Sequence, residues 1–193
     1  EILRCNAGLL TSLVPPGGAL VEFGSGASVK TRLLLDHGAH FGAYVPIDIS
    51  EAFLIQSAIA LRSDYPRLRV LPVVGDFLSP VPFPEILKNR PNTGFFPGST
   101  IGNIASEDAT KLLARARRWS GAGRFILGVD LVKDPAELIS AYNDVQGITA
   151  AFIGNILHRM TRELDAEIDA ETFHYSAEWN DVAEQIEMSL ISN

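Results

Sequence analysis

The residues best suited to ligand chemistry follow an apolar run near the start of the chain. That run ends at Phe23, and Gly24 and Gly26 follow it before a helical pattern begins. Two glycines at this spacing let the backbone turn tightly and let a ligand approach it closely. Gly-x-Gly is also common in plain turns between a strand and a helix, but the pattern favours a nucleotide-type cofactor loop.

The third position of this loop distinguishes between cofactors. A dinucleotide-binding fingerprint has glycine three residues after the second glycine, where the helix packs closely beneath a pyrophosphate. This chain has Val29 there. Because an adenosyl cofactor without pyrophosphate does not need that glycine, S-adenosylmethionine fits the loop better than NAD.

Polar residues follow three further apolar runs. Asp48 is placed to accept hydrogen bonds from ribose hydroxyls, and Asp76 could accept one from an adenine amino group while Phe77 lies against the ring. The last run leads into a loop of small and polar residues at 97–103. Each aspartate by itself also suits a turn or a helix cap, but their occurrence at consecutive strand ends favours a cofactor site.

A parallel sheet would bring these residues together. The pattern predicts strands at 19–23, 41–47, 69–74, 93–96 and 124–129, alternating with helices at 29–36, 50–63 and 106–118. Ser28 is expected to cap the first of these helices. Such alternation is typical of an α/β fold with a doubly wound parallel sheet, in which ligands bind beyond the carboxyl ends of the strands.

The alternation of predicted strands and helices ends after Lys133. Helices are expected from Pro135 and over 148–164, and strands over 172–179 and 185–191. We therefore expect two domains, with the cofactor on residues 1–133 and a smaller α+β domain or lid at residues 134–193.

The composition narrows the function classes. The chain has 16 basic and 23 acidic side chains and a net charge of −7, which argues against broad nucleic-acid binding because that needs a basic face. No apolar run reaches the roughly 18 residues of a membrane span. Since Cys5 is the only cysteine, no internal disulfide forms and a cytoplasmic protein is expected.

The histidines do not suggest a metal site. None of the four, which are His37, His40, His158 and His174, is spaced four residues from another as on a metal-binding helix, and no cysteine accompanies them. No metal is expected.

A set of ordered motifs resembles one family, the histidine-specific methyltransferases that make trimethylhistidine (hercynine) on the way to ergothioneine. The most specific block is the Phe-Phe-Pro-Gly-Ser-Thr-Ile-Gly-Asn run at 95–103. The other blocks lie in the same order along almost the whole chain, at 22–26, 30–32, 44–50, 74–77, 128–134, 141–144 and 186–188.

The resemblance implies a Rossmann-like class I methyltransferase sheet with a partial second α+β substrate-binding domain. The first domain is expected to lack its later strands. Five residues would hold S-adenosylmethionine, namely Gly24, Lys30, Asp48, Asp76 and Phe77. Gly98 and Asn103 would face the α-amine of a small amino-acid substrate, Tyr142 would hold its carboxylate, and Met188 would line the pocket near the imidazole.

These residue types suit the implied chemistry. Methyl transfer is an in-line displacement at a sulfonium methyl, so orientation matters more than a strong acid or base. A backbone carbonyl near Gly98 and the side-chain amide of Asn103 can direct the lone pair of a neutral amine, which gives both a catalytic role. The hydroxyl of Tyr142 can donate to a carboxylate.

Other functions stay open at this point. The family's pocket also uses residues that correspond to positions beyond Asn193 and an N-terminal segment, so the acceptor could be another amine, such as one derived from tryptophan. A non-catalytic module completed by another chain or by missing segments is a second alternative. An oxidoreductase is disfavoured by Val29.

Overall fold

The computed structural model describes residues 1–88, 90–119 and 123–193. The chain divides into two compact units, Glu1–Asp130 and Leu131–Asn193. The first unit alternates helices and strands in the order α1 Ile2–Ser12, β1 Ala19–Phe23, α2 Val29–Leu35, β2 Ala43–Asp48, α3 Glu51–Asp64, β3 Arg69–Val70, β4 Val73–Val74, β5 Asn92–Phe96, α4 Ser106–Trp119 and β6 Arg124–Leu127.

The strands of the first unit form one parallel sheet in the order β3-β2-β1-β5-β6, with β4 also paired to β2. The chain builds the sheet outward from β1 through β2, and then returns to the other side of β1 with β5. The strand order therefore reverses between β1 and β5, which is where open α/β sheets bind ligands.

The core lies on both faces of this sheet. Every residue of β1 is buried, as expected for a central parallel strand. Val21 and Phe23 contact one apolar cluster with Val45 of β2, whereas Leu20 contacts the opposite cluster with Tyr44. Glu22 shares its face with Leu20 because side chains alternate along a strand.

The predicted α/β fold is confirmed, with one strand divided. The run at 69–74 forms two short strands, β3 and β4, that pair with the two ends of β2. Pro46 of β2 and Pro72 lie at the break between these pairings. Pro46 lies on the side of β2 that faces β3 and β4, since the carbonyls of Tyr44 and Asp48 accept from Leu71 and Gly75. Pro46 has no backbone N–H to donate there, which explains why the ladder is interrupted.

The structure adds one helix and one detail of a helix cap to what the sequence predicts. The helix α1 was not predicted; its Ala7 is buried, and its Leu3 and Leu10 pack on the core. Ser28 is the N-cap residue of α2, as predicted, but its side chain does not cap the helix. Ser28 has a left-handed backbone (φ 52°) and makes no capping bond, because its hydroxyl is hydrogen-bonded to Tyr44 instead.

The second unit contains α5 Pro135–Tyr142, α6 Ile148–Leu164 and an antiparallel hairpin, β7 Phe173–Asn180 with β8 Gln185–Ser192. The side chain of Asp134 caps α5 by accepting from the N–H of Ala136. Asp144 accepts from the N–H groups of Ile148 and Thr149 at the start of α6. The side-chain hydrogen bond of Thr149, together with these backbone bonds, lowers the pKa of Asp144 to about 2.

Candidate functional site

The glycine loop, residues 24–28, joins β1 to α2 at the carboxyl edge of the sheet. Gly24 and Gly26 have left-handed backbones, with φ of 66° and 49°, which glycine adopts without steric cost. The N–H groups of Gly24 and Ser25 both donate to the carbonyl of Ile47, at 2.9 and 3.0 Å. The N–H of Gly26 donates to Asp48 Oδ2 at 2.8 Å. These bonds fix the loop against the end of β2.

The two predicted aspartates end neighbouring segments at this edge. Asp48 Oδ1 also accepts from the N–H of Ser50 at 3.0 Å, and Asp76 Oδ1 accepts from the N–H of Leu78 at 2.8 Å. Both therefore have the turn role that the sequence left open. A carboxylate has about four acceptor positions, so each can still accept from hydroxyl or amino groups of a ligand.

Phe77 lies against the glycine loop. A Cβ added to Gly24 would lie 3.3 Å from the Phe77 ring, and that ring meets Phe96 edge-on at 5.4 Å. The guanidinium of Arg115 donates to the Phe77 carbonyl at 3.1 Å. The structure thus brings an aromatic face to the glycine loop and anchors its backbone from α4.

Lys30 connects the glycine loop to the loop after β5. Gly98 has φ of 78°, and a Cβ added to it would lie 2.5 Å from Lys30 Nζ. The ammonium group therefore occupies the space that a side chain at position 98 would need. A cation held at this place suits a carboxylate group on a ligand.

The loop after β5 is more open. Ser99 has a left-handed backbone (φ 58°), its N–H donates to the Gly128 carbonyl at 3.2 Å, and its hydroxyl accepts from the N–H of Asp130 at 2.9 Å. A short 3-10 turn, Thr100–Asn103, follows. Asn103 is exposed at the end of this turn, so its amide is accessible to a substrate.

A buried group of polar side chains lies beneath the glycine loop, and the sequence did not predict that these side chains would contact one another. This Glu22 cluster consists of Glu22, Ser28, Thr31 and Tyr44. Thr31 Oγ1 donates to Glu22 Oε2 at 2.5 Å, and the Tyr44 hydroxyl donates to the same oxygen. The Ser28 hydroxyl lies 2.9 Å from that of Tyr44. An acid at the end of the apolar run was the only sequence signal for it.

Burial governs the ionisation of this cluster. It raises the pKa of Glu22 to about 7, against the lowering effect of the hydrogen bonds from Thr31 and Tyr44 and of the nearby Lys30 charge. Burial and the neighbouring Glu22 also raise the pKa of Tyr44 well above its usual value. The Glu22 carboxyl therefore changes charge near neutral pH, while Tyr44 stays a hydrogen-bond donor.

The glycine loop also contains a polar atom that lacks a protein partner. Ser25 is 7% exposed, and among the described residues its hydroxyl is one of two buried side-chain atoms without a hydrogen bond. A buried hydroxyl in that state is costly, and a bound ligand would satisfy it. Together with the glycines, the two carboxylates and Lys30, it fits a nucleoside ligand that carries an amino-acid end.

The remaining predicted residues lie in the second unit. Tyr142 ends α5, and its carbonyl accepts from the Tyr175 hydroxyl at 2.7 Å. Met188 of β8 pairs with Ala177 of β7, so it lies on the same face of the hairpin as Tyr175. Both Tyr142 and Met188 are exposed, by 37% and 41%.

The described part of the chain shows no metal site and no membrane span. Within residues 1–88, 90–119 and 123–193, no group of three or more histidine, cysteine or acidic side chains could hold a metal ion. In the same residues, no helix is both long and apolar enough to cross a membrane.

Comparison with known proteins gives consistent matches. The family model described as histidine-specific methyltransferase, SAM-dependent, matches residues 1–193. The chain is 39% identical to the histidine N-alpha-methyltransferase of Mycobacterium tuberculosis, covering 98% of this chain and 60% of that protein. It is 30% identical to ergothioneine biosynthesis protein 1 of Neurospora crassa, over 96% of this chain and 21% of that protein.

The solved structures agree on the fold. The CcbJ methyltransferase from Streptomyces caelestis matches with a TM-score of 0.57 at 14% identity, over 99% of this chain and 66% of that protein. This likeness confirms the predicted Rossmann-like methyltransferase sheet. The chain spans about three fifths of the length of the Mycobacterium relative.

Proposed function

Because the chain belongs to the family of histidine-specific, S-adenosylmethionine-dependent methyltransferases, we propose that it methylates the α-amino group of L-histidine, toward trimethylhistidine (hercynine) in ergothioneine biosynthesis. The match of the family model over residues 1–193 carries this proposal. The names of the Mycobacterium and Neurospora relatives support the proposed acceptor and pathway.

The cofactor residues of the proposal come from the carboxyl edge of the sheet. Gly24 leaves room for a ligand beside the backbone, and Asp48 and Asp76 keep acceptor capacity for ribose hydroxyls and the adenine amino group. Phe77 offers a ring face to the adenine, and Lys30 a cation to the carboxylate. S-adenosylmethionine, when bound, supplies a methyl group on a positively charged sulfur.

The acceptor residues have separate tasks. Asn103 and the Gly98 backbone would orient the amine, whose lone pair must be free and must face the methyl carbon. Tyr142 would donate to the substrate carboxylate, and Met188 would contact the imidazole ring. The reaction needs a neutral amine, so a proton must leave before each transfer.

The proposed location is the cytoplasm. A single cysteine, Cys5, excludes an internal disulfide, which supports a reducing compartment.

A methyl-transfer assay tests the proposal. The purified protein is incubated with S-adenosylmethionine and a panel of free amino acids, and products are read by mass spectrometry. We expect mono-, di- and trimethylated histidine and no other methylated amino acid, with one S-adenosylhomocysteine released per methyl group. Methylation of a different amine would contradict histidine as the acceptor and would mean that the chain is a related methyltransferase with another substrate.

Absence of any product, with cofactor binding intact by calorimetry, would contradict the proposed activity for this chain alone. The alternative would then be a non-catalytic module that needs further segments or a complementing chain. Adding those residues would restore activity in that case.

A further inference from the structure

The Glu22 cluster connects the two ends of the glycine loop through side chains. Glu22 lies on β1, two residues before Gly24, whereas Ser28 ends the loop and Thr31 lies in the first turn of α2. Tyr44 reaches between them from β2. The loop is therefore closed from below by hydrogen bonds between groups on three different elements.

We propose that Glu22 is a positioning residue for the cofactor, because its carboxylate and the Tyr44 hydroxyl fix both ends of the glycine loop and so place the loop N–H groups and Lys30. This inference rests on the proposed function, since it concerns the same cofactor. Glu22 is not among the residues proposed to contact the substrate or the cofactor. It acts on Thr31 directly and on Ser28 through Tyr44.

The burial of these groups argues against a purely structural role. Glu22 and Ser28 are each 2% exposed, and Thr31 and Tyr44 are fully buried. A buried carboxyl costs free energy even when it is hydrogen-bonded, and apolar replacements of similar volume are often as stable or more stable. An acid within the otherwise apolar strand β1 therefore favours a role in binding.

The charge of Glu22 gives the cluster a second effect. The titratable groups that face it are Tyr44 and Asp48 from β2 and Lys30 from α2. S-adenosylmethionine carries a positively charged sulfur, so an ionised carboxylate beneath the loop favours its binding. Because burial raises the pKa of Glu22 to about 7, cofactor affinity should fall as the pH drops through that value.

Calorimetric titration of S-adenosylmethionine into the wild type and Glu22→Gln tests this. Glutamine keeps the shape and an acceptor oxygen but has no charge. Above about pH 8 we expect binding to the variant to be about tenfold weaker, the effect of one charge-assisted hydrogen bond. Below about pH 6 the two affinities should converge, because Glu22 is then protonated.

The ratio of the two dissociation constants cancels the titration of the ligand's own amine. A ratio of one at every pH would overturn the inference while leaving the cofactor assignment intact. Failure of the wild type to bind S-adenosylmethionine would instead remove the proposed function itself, and the inference with it.

A matched pair of threonine variants separates positioning from stability. Thr31 and Thr93 are both fully buried, but Thr93 donates to the Leu13 carbonyl at the opposite end of the sheet, at 3.3 Å. We expect Thr31→Val to weaken cofactor binding several-fold and Thr93→Val to leave it unchanged. Equal losses in both variants would mean a structural role only.

Amide hydrogen exchange in the ligand-free protein gives a readout that does not need the cofactor. The N–H of Ser28 donates to the Ser25 carbonyl at 2.9 Å, and that of Arg32 donates to the Ser28 carbonyl at 3.1 Å. Both should exchange faster in Thr31→Val than in Thr93→Val. Identical protection in the two variants would contradict the claim that the cluster fixes the loop.

Discussion

The glycine loop after β1 is anchored by buried side chains, whereas the loop after β5 is exposed along much of its length. Ser25 and Ser28 are nearly inaccessible, but Gly98, Gly102 and Asn103 face solvent. Since β1 pairs with β5, the two loops are neighbours. We infer from this difference that the glycine loop presents a fixed geometry to the proposed cofactor, whereas the loop after β5 can vary in its proposed acceptor contacts without disturbing the sheet.

The largest effect on cofactor binding is expected from a substitution that removes a hydrogen-bond acceptor of the glycine loop. Asp48→Ala removes two proposed ribose partners, each worth roughly 1.5–3 kcal/mol, and also the acceptor for the Gly26 N–H. We expect cofactor binding to weaken by about 3 kcal/mol or more, measured by calorimetry. The control is Asp64→Ala, an exposed acid at the end of α3. Unchanged affinity in Asp48→Ala would reject the placement of the cofactor at the end of β2.

The next effect concerns the stability of the anchored loop. A raised pKa means that the native state binds the Glu22 proton more tightly than the unfolded state, so this group makes the protein less stable as the pH rises from 4.5 to about 7. Glu22→Gln should therefore gain stability relative to the wild type over this range, by about 3 kcal/mol at most.

Urea unfolding at several pH values measures that gain. The difference in unfolding free energy between the two proteins isolates Glu22 from the other titrating groups. A difference that does not change with pH would mean that Glu22 keeps an ordinary pKa in the folded protein.

A smaller effect is expected on the exposed loop. Asn103→Ala should lower the rate of methyl transfer about tenfold to a hundredfold, because orientation of the amine is lost, with little change in cofactor affinity. The matched control is Asn6→Ala, an exposed asparagine on α1. Equal loss of rate and of cofactor affinity in Asn103→Ala would show that the loop after β5 serves the cofactor and not only the acceptor amine.

The smallest effect concerns Lys30, which links the two loops. Gly98→Ala and Gly17→Ala both place a side chain at positive φ, 78° and 72°, and each should cost about 1 kcal/mol of unfolding free energy. Nothing lies within 4 Å of the added Cβ at Gly17, whereas Lys30 Nζ lies 2.5 Å from it at Gly98. We expect only Gly98→Ala to weaken cofactor binding as well, by several-fold in calorimetry. Equal binding in both variants would deny Lys30 a part in the site.

Much of the fold could be predicted because apolar runs and helical periodicity reflect burial directly. The alternation of strands and helices therefore gave the parallel sheet. The division of the strand at 69–74 could not be read from its own residues, because it depends on Pro46 in the neighbouring strand β2. The helix α1 was missed since no side-chain cap marks its start.

The backbone of the candidate site was predictable where it depends on glycines and on residues that end strands. Gly24, Gly26 and Asp48 are linked in the structure as their positions at the strand ends suggested. The Glu22 cluster was not predictable, because the partners of Glu22 come from two other elements. Only the three-dimensional register, in which Glu22 pairs with Pro46 beside Tyr44, brings these hydroxyls together.

The reversal of strand order next to β1 has a consequence for how the chain folds. One edge of β1 pairs with β2, which follows β1 soon after in the sequence. The other edge pairs with β5, which comes only after α3 and the proline-rich segment. Closing so long a loop is slow. Until then β1, every residue of which is buried in the folded sheet, has an unpaired edge, which is a template for aggregation. A growing chain on the ribosome is therefore most vulnerable after β2 has emerged and before β5 has docked.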